Sequence, residues 1–242
     1  MKVTVLASGS KGNSTLVETI DKIILIDAGL PFVNLEKRLD RKFPKIDVLI
    51  LTHSHTDHTK GMGSVIKKFK PLILTRSEEV INELGDLNVY SDDELVFEDT
   101  SVSLFPLSHD TPCSGVLIKE EDKELVYITD TGYINRRILT KIKDKDIYVM
   151  ESNHDVEMLR NGRYPFFLQQ RILGDKGHLS NEDSCMYLNE VIGPRTKYIV
   201  LAHLSEENNT EDMVKEASKS LKKRVKKIYI ARQNESIETI EV

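Results

Sequence analysis

Residues 51–61 read LTHSHTDHTKG, which places His53, His55, Asp57 and His58 within six positions, directly after an apolar run. Neutral imidazoles and a carboxylate together suit zinc, manganese or iron. Their alternation, His-x-His-x-Asp-His, lets one loop aim different side chains at two ions. Coincidence on a polar loop is the plain alternative, and four ligand-type groups this close make it the weaker one.

Two ions need more ligands than one loop supplies. His109 follows the apolar run SVSLFPLS, Asp130 follows ELVYIT, and His203 follows KYIVLA. Each lies at the C-terminal end of an expected strand, where loops gather into sites. A lone histidine there is more often an ordinary hydrogen-bonding residue, but three such residues alongside the first cluster favour a shared centre. Asp27 closes KIILID and precedes Ala-Gly. It is either a turn residue or a carboxylate that orients a ligand imidazole.

His178, in KGHLSNED, stands just before a helix capped by Ser180 or Asn181. An imidazole there could grip a phosphate and donate a proton, or be an exposed loop histidine. In ESNHDVEML the polar cluster of Glu151, Asn153 and His154 has a simpler reading, because Asn153 or Asp155 can cap a helix. The role of His154 stays open.

The surrounding chain alternates short apolar runs with helix-like segments. Strands are expected at 2–6, 14–18, 22–27, 47–52, 72–75, 101–107, 115–119, 124–129, 146–150, 197–202 and 227–232. Helices are expected at 33–42, 60–69, 77–84, 135–143, 181–191 and 210–225, the last with Thr210 at its N-cap. The stretch 152–180 is the least regular and reads as an insertion forming a lid or substrate wall. This pattern implies an α/β fold with sheets inside helical layers.

The 242 residues are read as a single domain over 1–242, with no repeat or low-complexity linker. No run reaches the roughly 18 apolar residues of a membrane span. The opening MKVTVLASGS lacks the features of a signal peptide, so a cytoplasmic protein is expected. Cys113 and Cys185 lack metal-ligand spacing and read as free thiols. A net charge of −5 argues mildly against a surface coated for nucleic acid, though a local basic patch remains compatible with it.

Taken in order, Asp27, His53-x-His55-x-Asp57-His58, His109, Asp130 and His203 resemble the motifs of the metallo-β-lactamase superfamily over nearly the whole chain. The resemblance implies an αββα sandwich with a two-metal site on one edge. His53, His55 and His109 would hold one divalent ion, Asp57, His58 and His203 the other, with Asp130 bridging. The ions would be zinc or manganese, with iron a further option. Asp57 is counted with His178 among the catalytic candidates as well.

SHDTPCSGVLI and YITDTG are similar to the His-to-Asp segment of the branch that includes ribonuclease J and ribonuclease Z, and GHLSN with LAHLS to its paired late histidines. SGSKGNST, TDTGY, ESNHD, GHLSN and LAHLSEENN most resemble the YycJ/WalJ family. That resemblance implies a DNA exonuclease linked to mismatch repair, with DNA as partner and RNA as the alternative. His178 would stabilise developing charge or protonate the leaving oxygen.

The chain departs from ribonuclease J in lacking its large inserted domain, and from ribonuclease Z in lacking an obvious long exosite arm. Binding would then fall to the core, with Lys67, Lys68, Lys70, Arg136, Arg137 and the run from Lys222 to Lys227 as candidate bases. For each, a solvated helix face is the ordinary reading. Two other functions fit the ligand set: hydrolysis of a thioester or lactone, and metal binding with regulation rather than catalysis.

Overall fold

Strands covered on both faces need apolar residues at every position, and KVTVLA, IILI and IYVME have this character. The computed structural model describes residues 1–39, 43, 45–85 and 87–242. Its strands are β1 (Lys2–Ala7), β2 (Ser14–Glu18), β3 (Ile23–Ile26), β4 (Val48–Ile50), β5 (Leu72–Leu74), β6 (Val89–Tyr90), β7 (Glu94–Val96), β8 (Thr100–Leu107), β9 (Cys113–Glu120), β10 (Lys123–Ile128), β11 (Ile147–Glu151), β12 (Tyr198–Ala202), β13 (Lys227–Ile230) and β14 (Ile240–Glu241). They form two seven-stranded sheets, ordered β14-β1-β2-β3-β4-β5-β6 and β13-β12-β11-β10-β9-β8-β7.

The helices are α1 (Phe32–Leu39), α2 (Thr56–Thr59), α3 (Met62–Phe69), α4 (Glu78–Leu84), α5 (Arg136–Lys141), α6 (Val156–Arg160), α7 (Phe166–Leu173), α8 (Asn181–Val191) and α9 (Glu211–Ala217). Alternate side chains divide the interior into layers. Val3, Ile24, Ile50, Val116, Leu125, Val149 and Val200 fill the space between the sheets. Leu25, Leu49 and Ile73 face outward onto α1 and α3 through Leu35 and Val65. On the other sheet Val126, Tyr148 and Leu201 meet α5 and α8 through Ile138 and Leu188. The order is helix, sheet, sheet, helix, the expected αββα sandwich.

All eleven expected strands are present, with ends shifted by a residue or two. The additional β6, β7 and β14 have only two or three residues each. The helix expected at 60–69 begins at Met62, and α2 precedes it as a separate turn. The one at 210–225 starts as expected, with the Thr210 side chain accepting from Met213 N at 3.2 Å, but passes into a 3₁₀ turn at Ser218–Lys223. For the one at 33–42, positions 40–42 lie outside the described residues. The stretch 152–180 is more ordered than expected, because it contains α6 and α7.

What places the site is strand direction. β3-β4-β5-β6 are parallel in one sheet and β10-β11-β12-β13 in the other. Their C-terminal ends open on one edge of the sandwich, the position where α/β sheets bind ligands.

Candidate metal centre

Three side chains reach this edge because the backbone turns sharply under them. Asp27, Asp130 and His203 have φ of 59°, 60° and 57°, the left-handed region that L-residues seldom adopt. Each is the residue just beyond β3, β10 or β12, or one further on, so the turn swings its side chain inward. Such geometry costs on the order of 1–3 kcal/mol per residue and persists where surroundings enforce it.

The His-x-His-x-Asp-His segment occupies the β4 end and α2. Backbone bonds bolt it down: Asn13 N donates to Asp57 O at 2.7 Å and Ala28 N to His58 O at 2.8 Å. Gly29 threads between them, and a Cβ there would collide with the Asp57 carbonyl oxygen. Only glycine fits that approach.

Ligand-type atoms converge in overlapping groups, the atoms of each within 4.8 Å of one another: two trios, His53 with His55 and His109 and Asp57 with His58 and His203, then His53, His58 and Asp130, and a quartet of Asp130, Glu151, His178 and His203. Asp130 lies between the two trios. Its Oδ2 is 3.1 Å from His58 Nε2, and its Oδ1 is 3.5 Å from His203 Nε2. Nε2 of His53, His109 and His203 is buried without a hydrogen bond. Leaving three imidazole nitrogens unpaired is costly, and a cation among them removes that cost. The donor set therefore fits divalent metal.

Supporting residues hold the other ring nitrogens. His58 Nδ1 donates to Asp27 Oδ2 at 2.7 Å, and Asp27 also accepts from Thr52 N at 2.9 Å. Asp27 thus orients an imidazole rather than simply closing a turn. His109 Nδ1 donates to Gly177 O at 3.2 Å, and His53 Nδ1 meets Thr52 Oγ1 at 3.1 Å.

Glu151 is the hub on the second sheet. It is fully buried, and its Oε1 accepts from His178 Nδ1 and from His203 Nδ1, both at 2.8 Å. Its Oε2 accepts from Thr131 N at 3.0 Å and Leu179 N at 3.1 Å. In sequence it reads as part of a polar cluster at a strand end, and only its place at the end of a fully buried strand hinted at more. Asn13 was not singled out. Its side-chain amide lies 2.9 Å from His58 Nε2 and 3.2 Å from Asp57 Oδ2.

The charges follow from this packing. Burial and the neighbouring His58 keep His53 well below the usual histidine range, and burial lowers His109. Burial would also lower His178, but the Glu151 carboxylate outweighs it and raises the group. Glu151 itself, despite burial, is drawn down to about 2 by His178 and His203. Against its burial, His203 is pushed up to about 10 by Asp130, Asp57 and Glu151. The carboxylates thus favour positive charge around His178 and His203, while burial disfavours it at His53 and His109.

A cavity of about 260 Å³ opens onto both trios, with His178 on its wall. Tyr164 just before α7, Leu168, Arg171 and Ile172 on it, and Lys176 in the loop after it also line the cavity. None of the bases at Lys67, Lys68, Lys70, Arg136, Arg137 or Lys222 to Lys227 lines it. Lys68 pairs with Glu36, Arg136 with Glu190 and Lys227 with Glu238. His154 is buried behind the site, brought down to about 4 by that burial, and Asp155 caps α6. Ser180, not Asn181, caps α8, accepting from Asp183 N at 3.0 Å. Cys113 and Cys185 are free and buried, with Cys113 Sγ 3.7 Å from His53 Nδ1. Among the described residues no helix is long and apolar enough to cross a membrane.

Comparison with known proteins agrees with this geometry. The family model described as beta-lactamase superfamily domain matches residues 22–203. Exodeoxyribonuclease WalJ of Streptococcus pneumoniae serotype 2 is 38% identical over 229 residues, covering 88% of this chain and 84% of that protein. Exodeoxyribonuclease YycJ of Bacillus anthracis is 38% identical over 226 residues, covering 88% and 85%. Among solved structures, the metallo-beta-lactamase fold protein YhfI of Bacillus subtilis superposes with a TM-score of 0.72 at 17% identity, covering 98% of this chain and 99% of that one. That last likeness speaks for the fold.

Proposed function

The chain belongs to the metallo-β-lactamase superfamily, and within it to the WalJ/YycJ family; it is a metal-dependent hydrolase, and we propose that it is a DNA exonuclease acting in the cytoplasm, with a role in DNA repair. The observation that carries this reading is the arrangement of His178. Its Nδ1 is held by Glu151 on the cavity wall facing both donor trios.

His53, His55 and His109 would hold one ion, and Asp57, His58 and His203 the other, with Asp130 between them. When bound, two divalent ions polarise a phosphodiester and lower the pKa of the attacking water. The residues supply the rest. Asp27 and Glu151 keep His58 and His203 aimed inward through their Nδ1 atoms. Asp57, drawn well below the usual carboxylate range by His203 and His58 despite its burial, stays ionised among the residues that would hold the second ion. The Glu151 carboxylate favours the protonated form of His178, which would donate its Nε2 proton to the leaving oxygen. DNA is preferred over RNA because the relatives that share most of the chain are named exodeoxyribonucleases.

The test offers the manganese- or zinc-loaded chain end-labelled single- and double-stranded DNA, RNA and a generic thioester. Release of nucleotides from DNA, with the thioester left intact, is the expected result. Thioester cleavage with DNA untouched, or no turnover of any substrate with metal bound, contradicts the proposal.

A further inference from the structure

Helix α7 buries none of its eight residues, which is unusual for a helix so close to a site. Phe166 and Phe167 at its start are each 74% exposed, the most exposed large hydrophobic side chains among the described residues. Holding two aromatic rings in water is unfavourable against burial, and an exposed apolar patch of this kind marks an interaction surface.

Their surroundings are rich in cations. Residues 160–176 carry Arg160, Arg163, Arg171 and Lys176 against the single acid Asp175, in a chain whose net charge is −5. Arg160 lies 3.8 Å from Glu157, whereas Arg163 and Lys176 form no ion pair among the described residues. Arg171 donates through Nη2 to Asp110, which fixes the guanidinium at the cavity rim and engages one of its five donors. Phe167 and Arg171 are four apart on the helix and so share a face. Leu168 and Ile172 on the adjoining face line the cavity itself.

Exposed aromatic rings interleaved with cations form the surface on which single-stranded nucleic acid stacks and is drawn along. We propose that α7 and its flanks are the platform for the unpaired end of the DNA strand, with Phe166 and Phe167 stacking on bases while Arg171 and Lys176 meet the phosphates entering the metal centre. The proposal rests on the nucleic-acid reading above and adds to it a requirement: the strand must present unpaired bases. A second copy of the chain is the competing occupant of the apolar rings, but it would bring the unpaired Arg163 and Lys176 against themselves.

The chain has no tryptophan, so Phe167→Trp introduces a single indole reporter. The probe is a short phosphorothioate-linked oligothymidylate, which resists cleavage, added to the metal-loaded full-length chain. Saturable quenching of the indole is expected. The double variant Phe166→Ala with Phe167→Ala should bind the labelled oligonucleotide roughly tenfold or more weakly, and tyrosine at both positions should restore binding. Binding to a blunt duplex should change far less.

Absence of quenching, or an affinity unaltered by the double alanine change, overturns the platform. So does a shift of sedimentation state with affinity unaltered, which assigns the rings to self-association. The two readings fail separately. Wild-type protein that degrades DNA while the double variant binds normally defeats only the platform. Quenching and weakened binding without any DNA hydrolysis support the platform and defeat only the nuclease reading.

Discussion

His178 separates chemistry from metal binding. It is outside the two trios assigned to the ions but within reach of Asp130, Glu151 and His203, and its Nδ1 is engaged by Glu151 at 2.8 Å. His178→Ala should lower kcat for DNA by about 10²–10⁴-fold, with metal content unchanged in elemental analysis. Loss of an ion in that variant would make it a ligand. The thiols give a second expectation at this scale. Burial pushes Cys185 up to about 11 and raises Cys113, so little thiolate exists near neutral pH. Alkylation of the folded chain should be slow at pH 8, accelerate as pH climbs toward 11, and become fast once urea unfolds it. The histidines and aspartates of the centre were readable from sequence because few uses other than metal bring such groups together. Glu151 and Asn13 were not, since an acid or amide near a strand end looks the same whether it caps a helix or orients an imidazole.

Elements carry the site by holding its residues at their ends, so damage to a strand interior reaches the chemistry through stability. Leu201 is fully buried on the outer face of β12, two residues before His203. Leu201→Ala should reduce unfolding free energy by about 2–5 kcal/mol in urea denaturation, with most of the activity recovered well below the transition. A loss of activity much larger than the loss of folded protein would mean that β12 packing also tunes the centre. The long strands were legible because coverage on both faces imposes continuous apolar runs. The strands β6, β7 and β14 span two or three residues and leave no pattern to read. Helix α7 is illegible for a different reason: it is eight residues long and buries none of them, so it lacks the core-facing stripe that marks a helix in sequence.

At the scale of the molecule, both sheets contribute residues to the centre and share one core between them. Metal should therefore stabilise the whole chain as a single domain. Metal at about 100 times its Kd should raise Tm by roughly 5–10 °C in one transition. The shift should be larger at pH 8 than at pH 6, because imidazoles and carboxylates bind metal only after losing their protons. Two resolved transitions, or an equal shift at both pH values, would contradict this. Sheets inside helical layers were legible from alternating strands and helices and the αββα order from the family resemblance, whereas the pairing order within each sheet needed the structure.

The central claim is that this centre removes nucleotides from DNA ends. The most direct measurement incubates the manganese-loaded chain with a linear single strand and a covalently closed single-stranded circle of the same sequence, following acid-soluble product. The account predicts that the linear strand is consumed to mononucleotides while the circle survives. Equal loss of the circle, or survival of both with metal bound, would contradict it.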